Sequence, residues 1–267
     1  MTTLTKRLRV YRTDAIILRR SDWGEADRIV TLFTPGFGKL RVVAPGARKP
    51  QSRKSGHLEL FTHGTYVLAR GRTFDKLTQA ETRDYFPRLH ESLDRMSCAS
   101  LAAELVDRFV EEHDENAPLY ELFLDTLAIL DDPARSPDPL LALRYFEVRA
   151  LTLLGYQPQV HHCILCGEPL EPVDQFFNLG GGGVVCPRCA AGQKGLLHLP
   201  LDLLKVLRFF QDRLWGEVRG LQLPAATMAG LETLLRRYVA SLLERDLKSE
   251  KFLRELRRPY TSEEPPA

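Results

Sequence analysis

The sequence predicts an α+β chain of 267 residues, with a small basic β barrel at the N-terminus followed by a helical domain that carries a short metal-binding insertion. Three observations predict it. β-Branched and aromatic residues cluster in short runs before residue 80, apolar residues recur at helical spacing from Phe86 onward, and two C-x-x-C pairs lie close together after residue 160.

In the first part the runs are residues 14–18, 28–33, 39–44, 58–61, 65–69 and 74–80, parted by turn residues. Only Thr62, His63 and Gly64 separate the fourth run from the fifth, so these two can be a single strand bent at the glycine. That leaves about five strands. Thr34-Pro35-Gly36-Phe37-Gly38 is a turn signal that makes the second and third runs a hairpin. Five short strands that close on themselves to hide their edges fit an OB-fold barrel.

Leu89, Leu93, Met96, Leu101, Leu105, Val106 and Phe109 then mark a helix from Phe86 to near His113. Further helices are expected over 119–130, 139–154 with Gly155 as its stop, 201–214, and from Met228 to about Leu247. The loop 131–139, with two internal prolines, separates two of them. The stretch 259–267, with three prolines and two acids, is expected to be disordered. The domain division that follows is 1–80, 81–157, 158–198 for the metal-binding insertion, 199–258, and the tail 259–267.

Cys163/Cys166 and Cys186/Cys189 are two C-x-x-C knuckles with 19 residues between them, a spacing that lets four thiolates converge on one tetrahedral Zn²⁺. Gly180 to Gly183 supply a flexible bend before the second knuckle. Four sulfurs close the coordination sphere, which predicts a structural rather than a catalytic zinc. The competing reading is a pair of disulfides, disfavoured in a cytosolic chain, or a redox motif, which needs a βαβ setting that is absent. His161 or His162 could replace one sulfur. Cys98, on an apolar helix face, is expected to be a buried core thiol.

The net charge is only +2, yet residues 1–80 carry 16 Lys and Arg against 6 Asp and Glu, leaving 21 against 29 for the rest. The first part suits a polyanion and the remainder does not. No acid lies between Asp27 and Glu59, while Arg28, Lys39, Arg41, Arg48, Lys49, Arg53 and Lys54 all fall there. Lys39 and Arg41 alternate with Leu40 and Val42, so both should point away from the barrel core. The other loop cations lie in 45–56, expected to be long, polar and mobile. Together they form the expected phosphate-contacting surface. Trp23, Phe37 and Phe74 lie near turns and are more readily core residues than platforms for bases.

No phosphate-loop, dinucleotide-binding, zinc-protease or nucleophile-elbow motif is present, and no enzyme is expected. No apolar run follows the basic start, and no stretch of about 18 apolar residues occurs, so a cytoplasmic chain without a membrane span is expected.

Arg28-Ile-Val-Thr-Leu-Phe-Thr34 leading to Gly38-Lys39, Ala44-Pro-Gly-Ala-Arg-Lys49, Leu77-Thr-Gln-Ala-Glu81, and the two cysteine knuckles with Gly182-Gly183 before the second resemble the RecO recombination mediators of bacterial DNA repair. The resemblance covers most of the chain. It implies an OB-fold followed by a helical domain with an inserted four-cysteine zinc ribbon, at work in the cytoplasm at the nucleoid. It also implies binding to single- and double-stranded DNA, annealing of strands coated with single-strand-binding protein, and action with RecR to load RecA. Arg144, Arg149 and Lys205, on helices with apolar faces, are the candidates for meeting the acidic tail of the single-strand-binding protein. Some members of the family lack the cysteines that this chain has. Two other readings compete: a zinc-ribbon adaptor that binds protein and RNA partners without annealing, and a metal-dependent nuclease, for which no carboxylate cluster is visible.

Overall fold

The computed structural model describes residues 9–52 and 54–243, together with Ser249, Phe252, Leu253 and Leu256. Arg53, the expected helix end near Leu247 and the tail 259–267 lie outside the described residues.

Five strands, β1 (Val10–Trp23), β2 (Asp27–Thr34), β3 (Gly38–Ala44), β4 (His63–Ala69) and β5 (Asp75–Asp84), close into a barrel in the order β1-β2-β3-β5-β4. β3 and β5 pair in parallel and the other neighbours antiparallel, which is the connectivity of an OB-fold. Alternation builds the interior. Ala15, Ile17, Val30, Leu32, Leu40, Val42, Tyr66, Leu68 and Leu77 fill it, while Ile16, Leu18 and Phe33 on the opposite face join the core of the helical domain. The β2–β3 hairpin forms at the expected turn, where Gly38 adopts φ +63°. A Cβ there would meet the Asp114 carbonyl oxygen at 2.2 Å, so glycine is also what lets the chain after the first long helix lie against the barrel.

Residues 58–61 are not a strand. A 3₁₀ turn at Ser55–His57 leads into a coil that drops Leu58 into the barrel and Phe61 into the helical core, and Phe61 takes φ 63°, which ends any extended run. An apolar run that plugs a barrel end has the same composition as a strand. β5 continues past Ala80, where the first domain was expected to end, because its pairing with β4 runs to His63↔Asp84.

The helical part holds α1 (Pro87–Glu91), α2 (Leu93–Phe109), α3 (Ala117–Asp131) and α4 (Pro139–Leu153). The single helix expected from Phe86 is two, because Ser92 is extended and its side chain caps the second by accepting from the Arg95 N–H. A three-stranded sheet follows, of β6 (Gln175–Asn178), β7 (Gly183–Val185) and β8 (Leu197–Leu199) in the order β7-β6-β8, with the short α5 (Pro187–Ala190) between the last two. The chain returns to the helical core through α6 (Leu201–Asp212), α7 (Trp215–Val218) and α8 (Ala225–Leu243). No helix among the described residues is long and apolar enough to cross a membrane.

Candidate metal centre and nucleic-acid interface

The four cysteines converge. Their Sγ atoms all lie within 4.8 Å of one another, close to the roughly 3.8 Å sulfur spacing of a tetrahedral site with metal–sulfur bonds of about 2.3 Å. Neither His161 nor His162 belongs to the cluster among the described residues. The first knuckle is tied to the sheet by the Ile164 N–H donating to the Val184 carbonyl, and the second opens α5. Burial alone would push the Cys163 thiol up, but backbone N–H groups of Cys186, Cys166 and Leu165 donate to its sulfur and bring it down to about 6. Hydrogen bonds to the Cys186 and Cys166 sulfurs hold the proton on Cys189 and push it up to about 12. The Arg188 guanidinium lies beside Cys166, where it offsets thiolate charge. Cys98 is fully buried in the helical core.

The glycine run is there for close packing more than for bending. A Cβ on Gly183 would meet Ile164 Cγ2 at 2.5 Å and Gln159 Cβ at 2.9 Å, so the hairpin and the first knuckle touch backbone to side chain. The sheet is not a free-standing ribbon either. Phe177, Val184, Val185 and Leu199 are buried in the main helical core, and Phe177 packs edge-on against Tyr238 of α8, with ring centroids 5.4 Å apart.

The seven barrel cations separate by environment. Lys39 and Arg41 point out of the barrel as alternation requires, but they face acids. Lys39 is only 12% exposed and pairs with Asp107 of α2 at 3.2 Å, and Arg41 lies 3.7 Å from Glu112. Lys39 is therefore a tie between the two parts of the molecule. The His113 N–H donates to the Lys39 carbonyl at the same junction. Arg28 and Arg48 both pair with Asp22, at 3.2 and 3.3 Å, and Arg48 also donates to the carbonyls of Gly24 and Glu25. Lys54 donates to the carbonyls of Pro45 and Leu77. Lys49 is exposed, and Arg53 lies outside the described residues.

Residues 45–52 of the loop form consecutive turns rather than an open coil. Lys49 N–H donates to Gly46 O, Ser52 N–H to Lys49 O, and Ala47 is buried beneath them. Arg41 stacks over Phe74 at 5.3 Å, Phe74 meets Trp23, and Arg48 holds the turn after Trp23. Arg41, Arg48 and Lys49 thus share one end of the barrel and are exposed there. Asp22, Asp107 and Glu112 are ion-pair partners of these cations that the acid-free window does not display. Asp22 lies just ahead of the acid-free window, and the other two reach it only through the fold.

In the helical part, Arg144 is wholly buried, donating to both carboxylate oxygens of Glu147 at 2.7 and 2.9 Å, with Glu232 3.6 Å away. It cannot meet a partner from there. Arg149 is half-buried and donates to the Gln211 carbonyl. Lys205 is exposed on α6.

Two family models match the chain. The family described as "Recombination protein O N terminal" matches residues 8–86, and "Recombination protein O C terminal" matches residues 90–251. The chain is 45% identical over 260 residues to the DNA repair protein RecO of Roseiflexus sp. (strain RS-1), covering 96% of this chain and 89% of that one. It is 36% identical over 258 residues to the DNA repair protein RecO of Symbiobacterium thermophilum, covering 93% and 98%. With the DNA repair protein RecO of Listeria monocytogenes serotype 4a the identity is 31% over 245 residues, covering 92% and 94%.

Proposed function

The chain belongs to the RecO family of DNA repair proteins, and from that premise we propose that it is a non-catalytic recombination mediator whose barrel binds single- and double-stranded DNA through phosphates. The observation that carries this reading is the cluster of exposed cations, Arg41, Arg48 and Lys49, at one end of an OB barrel. Arg53, close by in the sequence, is counted with them as a candidate contact. Arg28, Lys39 and Lys54 are less exposed and shape the surface, held by Asp22, Asp107 and two backbone carbonyls, whereas Arg41 and Arg48 stay exposed although they too meet acids, Glu112 and Asp22. Contacts of this kind are indifferent to base sequence, which annealing of arbitrary strands requires.

In the same reading the four cysteines hold one structural zinc ion. Bound there, zinc neutralises the thiolates and fixes the two knuckles, and the closed sphere of four sulfurs leaves no position for a substrate. The protein works in the cytoplasm at the nucleoid, acting on strands coated with single-strand-binding protein and acting with RecR to promote RecA loading. Lys205 and the half-buried Arg149 remain the candidates for the acidic tail of the single-strand-binding protein, Lys205 being the exposed one.

Strand annealing tests the proposal. Purified protein should accelerate pairing of complementary oligonucleotides coated with single-strand-binding protein. A zinc-ribbon adaptor for protein and RNA partners would leave the spontaneous rate unchanged, and that result would overturn the reading.

A further inference from the structure

Trp23 is out of place for a tryptophan. It ends β1, is 51% exposed, and lies where the β1–β2 turn begins. Its aromatic neighbour Phe74 comes from the β4–β5 loop, with ring centroids 6.4 Å apart and planes at 75°. In OB barrels these two loops flank the face that takes oligonucleotides. Phe37, by contrast, packs against Tyr11 at 4.9 Å, beside the barrel core. Of the three aromatics near turns, one is thus core and two form an outward pair.

The geometry of the pair matters. A T-shaped contact covers at most one face of the indole, and about half of the residue is in contact with solvent. Two cations lie close by. Arg41 lies over the Phe74 ring and 3.7 Å from Glu112, and the Arg48 guanidinium is held on the carbonyls of Gly24 and Glu25, immediately after Trp23, and on Asp22. A half-exposed indole with exposed arginines nearby matches a nucleotide, whose base is flat and apolar on its faces and whose backbone is anionic.

We propose that Trp23, backed by Phe74, stacks on an unpaired base of single-stranded DNA and so sets the preference of the barrel for single strands. The proposal rests on the DNA-binding reading above and adds to it a residue that tells strands apart. Loop cations hold the phosphates of either form, but in a duplex each base face is already covered by its neighbours, so only an unpaired base reaches the indole. Stacking occupies the face of the base and leaves its pairing edge free. A complementary strand can therefore pair with the held strand, and the formation of the duplex withdraws the base from Trp23, releasing the product.

The chain has two tryptophans, so Trp215→Phe leaves Trp23 as the sole indole emitter. That variant is titrated with oligo(dT) and with a blunt duplex, while binding is read independently from the anisotropy of a label on the DNA. Oligo(dT) should quench the indole saturably, in step with the anisotropy, and the duplex should bind without quenching. Trp23→Ala should weaken oligo(dT) binding by about 5- to 150-fold, the range carried by one base–aromatic stack. Duplex binding should stay within about twofold, and Trp23→Phe should recover most of the loss. Oligo(dT) binding without quenching, or an equal loss on both DNAs in Trp23→Ala, would overturn the stacking role while leaving the DNA-binding reading intact. Absence of binding by either DNA would overturn both.

Discussion

Lys39 of β3 and Asp107 of α2 form an ion pair across the junction of barrel and helical domain, with Nζ 3.2 Å from Oδ1 and a further hydrogen bond from the same ammonium to the Asp107 carbonyl. Both side chains are largely withdrawn from water. A cation that the sequence offers as a DNA contact also fastens barrel to helical domain. Lys39→Ala should accordingly lower stability by about 1.5–3 kcal/mol, the usual worth of a charged hydrogen bond. Denaturant unfolding measures that loss. DNA affinity at moderate salt should be nearly unchanged, and a large loss of affinity without loss of stability would return Lys39 to the phosphate-contacting set.

Arg144 gives a second stability prediction. Its removal takes the guanidinium from between Glu147 and Glu232 in a buried site. Arg144→Ala should cost about 3–5 kcal/mol, the range for breaking a buried pair from one side. Thermal unfolding followed by circular dichroism would show it, and a melt within about a degree of the parent would refute the assignment. A test of partner docking should therefore change Lys205 and leave Arg144 alone.

Replacing Cys163 and Cys186 together should abolish the stoichiometric zinc expected in the parent protein. It should also reach beyond the ribbon, because Phe177, Val184, Val185 and Leu199 are part of the helical core. Structural zinc supplies roughly 10–16 kcal/mol of apparent binding energy in isolated finger peptides, so the loss should be plain in the melting temperature. Metal analysis showing no zinc in the parent protein, or an unshifted melt in the double variant, would contradict the structural role.

Gly183→Ala probes the contact between the glycine hairpin and the first knuckle. The added methyl would fall 2.5 Å from Ile164 Cγ2, so Ile164, next to Cys163, must move. Overpacking of this kind costs about 1–3 kcal/mol, and zinc should be lost to a chelator faster than from the parent. Parental stability together with parental chelation kinetics would show that the contact is slack.

Much of this molecule is legible in the chain because its signals are local. The β2–β3 hairpin follows from its turn residues, α3 and α4 from apolar spacing and proline starts, and the metal cluster from the spacing of four cysteines. What escapes is non-local. Residues 58–61 look like a strand because burial, not extension, selects their side chains. Lys39 and Arg41 alternate outward as expected, but the acids they face come from a helix and its exit more than 60 residues later, and no window along the chain displays that. Arg144 reads as a surface charge because helix patterning assigns charges to the wet face. Its partner Glu147, three residues on, is the available sign of an internal pair. Trp23 reads as core by composition, and only its exposure reverses that.

The claim that the barrel holds DNA mainly through phosphates is tested most directly by the salt dependence of binding. If Arg41, Arg48, Lys49 and Arg53 make about four phosphate contacts, log K against log salt should slope near −3.6 on duplex and near −2.8 on single strands, at roughly −0.9 and −0.7 per contact. Changing Arg48, Lys49 and Arg53 to Ala should flatten the duplex slope to about −0.9 while zinc content and the melting profile stay parental. A slope in the triple variant equal to that of the parent would contradict the account and place the DNA site outside the barrel loop.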